Sequence, residues 1–210
     1  MKYTGRILTI SIYLTAHSFY LLYYVLSGRG ITMLDWLGYP LFTAICYLAG
    51  LQFDRAVFNS ERDPLTGLFN RRNTEARIAK MMAAADRTGH KVFILAIDCD
   101  NFKWINDTLN HGTGDIVLIE ISKILLLEKG KRIIAIRWGG DEFLLCGLCS
   151  SSSEVEEIKL RIKNSISRLS GKMNLPVNIS IGSALYPDDD KTVSALINLA
   201  DLNMYTQKKS

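Results

Sequence analysis

The distribution of apolar and polar positions divides the chain into two unlike parts. No side chain from residue 7 to 26 carries a formal charge, and none does from residue 36 to 53. Each run is long enough for a helix to cross the roughly 30 Å hydrocarbon core of a bilayer. Ser27-Gly28-Arg29-Gly30 lies between them and reads as a turn, so the pattern predicts an all-α hairpin of two transmembrane helices over residues 1–53. Beyond it, charges are spread along the chain. Residues 54–62 read as a linker that extends the second helix. Asp63-Pro64-Leu65-Thr66-Gly67 then interrupts the pattern, because Pro and Gly punctuate helices. Further helices are predicted over 73–88, 102–108, 115–127, 154–169 and 192–208, and strands over 92–97, 133–136, 143–148 and 177–186. In the last strand Val177, Ile179 and Ile181 alternate with Asn178 and Ser180, which predicts the first three inward and the other two outward. Gly139-Gly140 closes 133–136 and 143–148 into a tight hairpin. Helices interleaved with four strands, one pair antiparallel, imply an α/β domain over residues 63–210.

The first run competes with a secretory leader, whose apolar stretch is shorter and ends in small residues. Tyr20, Tyr23 and Tyr24 near its end, and Trp36 at the start of the second run, fit interfacial anchoring instead. Lys2 and Arg6 flank the first run, Arg55, Arg62, Arg71 and Arg72 follow the second, and the connecting loop holds Arg29 and Asp35. The positive-inside rule then places both termini, and with them the soluble domain, in the cytoplasm. The expectation is a two-span cell-membrane protein with the lipid bilayer as a partner. His17, inside the first run, reads as a packed or interface-facing side chain rather than a ligand.

Charge and cysteine content narrow the function. The formal net charge is +4, and after residue 62 Lys and Arg number 20 against 18 Asp and Glu, with no long basic run. That balance argues against a nucleic acid polymer as partner. Cys46 sits in an apolar run. Cys146 and Cys149 form a C-x-x-C, but no second ligand pair is spaced for zinc, and the pair closes a strand rather than opening a helix. It reads as two reduced thiols at a strand end. Asp188-Asp189-Asp190, after Pro187, reads as a solvated loop.

The candidate chemistry lies in two carboxylate clusters at strand edges. Asp98-Cys99-Asp100 directly follows an apolar strand, and Gly140-Asp141-Glu142 occupies the hairpin turn. If the strands are neighbours, Asp98 and Asp141 converge. Hard oxygen ligands without His or Cys suit Mg²⁺ (or Mn²⁺), which keeps several waters and takes further ligands from substrate phosphates. Such a site favours phosphoryl or nucleotidyl transfer. Two glycines permit positive φ and close ligand approach. Two acids directly after them are costly unless a cation or ligand compensates.

Arg137-Trp138-Gly139-Gly140-Asp141-Glu142-Phe143 resembles the signature of the GGDEF family, the diguanylate cyclases. Four further stretches resemble the family in order: residues 63–72, 98–107, 110–115, and the closing Ser180-Ile181-Gly182 with residues 200–205. The resemblance covers about residues 58–208 and implies a central mixed sheet with flanking helices and a β-hairpin. It also implies roles. Asp98, the Cys99 carbonyl and Asp141 would hold the metal. Asn106 and Asp115 would read guanine, a buried Asp115 being left unpaired by adenine. Phe102 and Lys103 would meet the phosphates, Lys208 would pair with the terminal phosphate, and Arg137 is grouped with the substrate-binding residues. Asp141 and Glu142 are the catalytic candidates, Glu142 as base or orienter for the attacking 3′-hydroxyl. The implied reaction condenses two GTP into cyclic di-GMP with release of two pyrophosphates, in a two-fold homodimer that brings two half-sites together.

Departures from the family pattern carry expectations too. The product-inhibition Arg-x-x-Asp is absent from Gly130-Lys131-Arg132-Ile133, which predicts loss of that feedback. The given sequence stops at Ser210, before the position of a second phosphate-binding Arg, which predicts weaker GTP binding with Lys209 as partial substitute. Asn110 replaces a Gly, with little effect expected, and His111 reads as a turn residue rather than a catalyst. The alternatives are a non-catalytic, membrane-anchored GTP- or partner-binding module and a cyclase making a 3′,5′-cyclic mononucleotide.

Overall fold

The computed structural model describes residues 3–128 and 131–209, and the chain divides into two compact units, Met1–Ser60 and Glu61–Ser210. The first is built from α1 (Thr4–Leu26) and α2 (Met33–Glu61). Both are long and apolar enough to cross a membrane. Several of the contacts that join them are polar. Arg6 Nε pairs with Asp54 Oδ2 at 2.9 Å, and the Gly5 N–H donates to Asp54 Oδ1 at 2.7 Å. Thr9 Oγ1 donates to the Cys46 carbonyl at 2.8 Å, and the Tyr13 hydroxyl to the Gly38 carbonyl at 2.6 Å. His17 packs edge-on to Tyr39, ring centroids 4.3 Å apart, with Nε2 3.1 Å from the Asp35 carbonyl. It is a packed side chain, as its place in the run led us to expect. Gly50 permits the close approach: a Cβ there would lie 2.5 Å from Arg6 Cα. Ile7, Leu8, Ile12, Phe19, Leu37 and Leu41 face outward.

The second unit is a five-stranded mixed sheet between two helical layers. Its strands are β1 (Phe69–Asn70), β2 (Lys91–Asp100), β3 (Lys131–Arg137), β4 (Glu142–Cys149) and β5 (Asn178–Tyr186). They lie in the order β1-β3-β4-β2-β5, with β1 parallel to β3 and the other pairs antiparallel. β2 lies between β4 and β5, and the helical layers bury both its faces. Phe93, Leu95, Ile97 and Cys99 meet α5 (His111–Leu127) and α6 (Ser152–Met173) through Leu118, Ile121, Ile158 and Ile162. Val92, Ile94 and Ala96 meet α3 (Thr74–Thr88) and α7 (Val193–Lys209) through Ile78, Met82, Leu196 and Ala200. Each such large apolar side chain contributes about 1.5–3 kcal/mol. Gly182 lets α7 lie directly on β5, since a Cβ would come within 2.1 Å of the Ala200 carbonyl oxygen.

Double coverage corrects one expectation. Ser180 is 5% exposed rather than outward, because the face opposite Ile179 and Ile181 is covered as well. It also settles the C-x-x-C. Cys146 belongs to one core and Cys149 to the other, as an odd spacing on a strand requires, and both are free thiols. Burial pushes the Cys149 thiol up to about 11. The α5 helix begins four residues earlier than expected. Asn110 caps it through Oδ1, which accepts from the Thr113 N–H at 2.9 Å, and His111 is its first residue rather than part of a turn.

Candidate active site

The site grows from the open ends of β2 and β4. Their register pairs Asp98 with Glu142, and that of β2 with β5 pairs Asp98 with Ser180. Directly opposite residues share a face, so these three project toward the side covered by α3 and α7. One residue on, the Cys99 N–H donates to the Asp141 carbonyl at 3.2 Å. A strand residue presents N–H and C=O to the same neighbour, so the Cys99 carbonyl faces the hairpin turn as well, while its side chain is buried in the opposite core. Burial, with the fields of Asp141 and Asp98, pushes that thiol up to about 12.

Helix α7 supplies the counter-charge: Lys208 Nζ pairs with Asp98 Oδ1. Burial raises the Asp98 carboxyl above the ordinary Asp range. Lys208 opposes that shift, and the fields of Asp141 and Asp100 add to it. Glu142 is likewise raised, first by burial and then by Asp98, Asp201 and Asp141, against a lowering by Arg71. Asp100 accepts from Ser180 Oγ at 2.7 Å. The acids therefore repel one another across a partly dry strand end, an arrangement that a bound cation relieves. Among the described residues no three His, Cys, Asp or Glu side chains form a ready metal cluster. Asp98, Asp141 and the Cys99 carbonyl are hard oxygen donors with no His or thiolate among them, which fits Mg²⁺ or Mn²⁺ and not zinc.

The glycines of the turn work differently from the expectation. Among the described residues the positive-φ glycines are Gly28, Gly67 and Gly89, and neither Gly139 nor Gly140 is among them. Of these two, only the first lies close against a neighbour. A Cβ on Gly139 would lie 2.7 Å from Glu142 Oε2, whereas Gly140 faces open space.

A second cluster lies on α4 (Phe102–Thr108) and the start of α5. Asn106 Oδ1 is buried with no partner in the structure. It occupies the room that Gly114 leaves, since a Cβ there would come within 2.0 Å of it. A buried carbonyl without a donor is costly and marks a place for an N–H group. Asp115 is exposed, not buried, so the selectivity argument from a buried acid applies only after a ligand covers it. Phe102 and Lys103 open α4, where Asn101 at φ 56° offers no side-chain cap.

Arg137 bonds the turn beside the acids and the loop before β1. Its Nη1 donates to Asp63 Oδ1 at 3.0 Å, and its Nη2 to the Gly140 carbonyl at 2.7 Å. The guanidinium thus ties the turn to the Asp63 loop. Burial raises the Asp63 carboxyl, but the Thr66 hydroxyl and N–H and Arg137 outweigh it and hold it below the usual range. Gly67, at φ 70°, closes that loop. Gly130 and Ser210 and the side chains of Lys131, Arg132 and Lys209, and with them most of the product-inhibition stretch and the Lys209 substitution, lie outside the described residues.

The sequence reading missed one feature. Arg71 stacks 4.3 Å from the Trp138 ring centroid. Together with Glu142, Asn198 and Asp201 they line a cavity of about 240 Å³ beside the turn. The only sequence signal was the Asn-Arg-Arg of residues 70–72.

Residues 60–210 match the family profile described as diguanylate cyclase, GGDEF domain. The chain is 35% identical over 159 residues to the diguanylate cyclase TpbB of Pseudomonas aeruginosa, covering 71% of this chain and 35% of that protein. It is 32% identical over 160 residues to the diguanylate cyclase DgcP of Escherichia coli, covering 73% and 46%. The chain thus spans less than half the length of these curated relatives. A solved TpbB structure comprising only its GGDEF domain superposes with a TM-score of 0.66 at 34% identity, covering 70% of this chain and 88% of that one.

Proposed function

The chain belongs to the GGDEF family of diguanylate cyclases, and we propose that it condenses two GTP into cyclic di-GMP, with a divalent cation and as a two-fold dimer. One observation carries this reading: the Cys99 N–H bonds the Asp141 carbonyl, which sets Asp98, Asp141 and Glu142 at one end of adjacent strands.

In this reading Asp98, Asp141 and the Cys99 carbonyl hold Mg²⁺ or Mn²⁺, which when bound neutralises charge developing on the phosphorus oxygens. Asn106 and Asp115 accept from the guanine N–H groups. The uncapped first turn of α4, at Phe102 and Lys103, faces the phosphates, and Lys208 adds a positive charge. Glu142 orients the 3′-hydroxyl of one nucleotide and takes its proton as the oxygen attacks the α-phosphorus of the other. The bond from that phosphorus to the bridging oxygen breaks, pyrophosphate leaves, and a second reciprocal step closes the ring. Arg137 serves by holding the turn.

We read α1 and α2 as membrane spans, with a linker over 54–62 and a catalytic domain from residue 63 in the cytoplasm. The test is to incubate the full chain in lipid nanodiscs with GTP and Mg²⁺ and to resolve the products by mass. Cyclic di-GMP with pyrophosphate is the expected result. Tight GTP binding without turnover would replace this reading by a binding module, and a 3′,5′-cyclic mononucleotide would overturn the dimeric mechanism.

A further inference from the structure

We propose that Lys208 is a resident counter-ion of Asp98 which a divalent cation must displace, so that cation and nucleotide bind with positive coupling. This rests on the reading of Asp98 as a cation ligand. In the structure the Lys208 ammonium pairs with Asp98 Oδ1, on the carboxylate read as a cation ligand. The neighbouring acid Asp100 is drawn to Ser180 instead, at 2.7 Å. The two partners are unequally buried: the Asp98 side chain is 13% exposed and that of Lys208 38%. Lys208 can therefore swing into water at small cost, whereas the Asp98 carboxylate without a partner would be a largely buried, uncompensated charge. The strand end thus exchanges one positive charge for another.

The exchange has a direction. A cation arriving alone competes with the ammonium and releases it to solvent, where it gains little. A cation arriving with a nucleotide brings phosphate oxygens, and the released ammonium has an anion to meet. Nucleotide therefore relieves the competition at Asp98, and by linkage the cation strengthens nucleotide binding by the same factor. A lysine that only contacted phosphate would leave cation binding unaffected when no nucleotide is present.

The experiment titrates the full chain in nanodiscs with Mn²⁺ alone, following free Mn²⁺ by electron paramagnetic resonance. The titration is then repeated with a non-reactive GTP analogue. Lys208→Met and Lys208→Gln are each expected to bind Mn²⁺ alone about three- to fivefold more tightly than the wild type, the factor an ion pair near the surface is worth. Both should also lose much of the gain in Mn²⁺ affinity that the analogue gives. Asp98→Asn is expected to lose Mn²⁺ binding. If Asp98→Asn loses binding but both Lys208 variants match the wild type or bind more weakly, the counter-ion role is overturned and the cation site stands. If Asp98→Asn binds Mn²⁺ like the wild type, the cation site itself is overturned, and the counter-ion role with it.

Discussion

The two units solve the same problem with opposite distributions of side chains. In the helical hairpin, polar groups hold the elements together: Arg6 with Asp54, Thr9 with the Cys46 carbonyl, Tyr13 with the Gly38 carbonyl. Many of its large apolar side chains are exposed. In the sheet domain apolar side chains fill two cores, one on each face, and charge gathers where β2 and β4 end. The difference matches the solvent proposed for each unit. In lipid, apolar burial gives helices no reason to associate, so close packing and hydrogen bonds do that work. In water, apolar burial dominates, and charge at a strand end is a cost that the proposed chemistry would require. The domain should therefore be sensitive to volume and indifferent to loss of a site charge, and the hairpin should respond weakly to loss of any one polar contact.

The sharpest way to break this contrast is at the site. Asp141→Ala should lower the rate of cyclic di-GMP formation on the order of a thousandfold, measured by product chromatography. The melting temperature should hold or rise, because Asp141 acts on Asp98 and Glu142 as a repelling like charge. Retained turnover would remove Asp141 from the chemistry, and a large fall in melting temperature would make it structural. Next in size is Gly182→Val. Its Cβ would meet the Ala200 carbonyl oxygen and the Met204 nitrogen, both at 2.1 Å, and these are backbone atoms of a packed helix that cannot give way locally. A loss of about 3 kcal/mol or more is expected by chemical denaturation.

Periodicity exposed most of this architecture before any coordinates. Every helix and four of the five strands announced themselves by apolar spacing, and the carboxylates of the site by their place after a strand and within a turn. What stayed hidden has physical causes. β1 has two residues, too few for a period. The start of α5 was masked by Gly112 and Gly114, which weaken helix propensity, although Gly114 is there to admit the Asn106 side chain. The alternation in β5 suggested one buried face because it cannot reveal that a helical layer covers the other. The Arg137–Asp63 tie joins residues 74 apart in sequence, and Lys208 reaches Asp98 across 110. Such partners leave no local signal.

Asn110 tests the same domain at smaller amplitude. It sits at φ 147° and ψ 166°, a region nearly reserved for glycine, so the expectation of little effect from losing the glycine is replaced by one of strain. Its side chain recovers part of the cost by capping the Thr113 N–H. Since glycine is only a few tenths of a kcal/mol worse as a cap, Asn110→Gly should stabilise the domain by about 1 kcal/mol in a denaturant titration. Destabilisation would mean that the cap outweighs the strain.

The smallest effect belongs to the hairpin. Tyr13→Phe removes one hydroxyl, the donor of a 2.6 Å bond to the Gly38 carbonyl, and leaves the ring where it stacks near His17 and Phe42. In an aqueous core such a loss would strand a buried carbonyl and cost about 1–3 kcal/mol. Between membrane helices the unfolded reference is itself two hydrogen-bonded helices in lipid, and a single interhelical bond is worth about 0.6 kcal/mol. Unfolding of the full chain in mixed detergent micelles, read by a fluorophore pair across the hairpin, should show a shift of that size. A shift several times larger would mean that the Tyr13 site behaves like the interior of a water-soluble protein, and the opposition drawn between the two units would fail at that position.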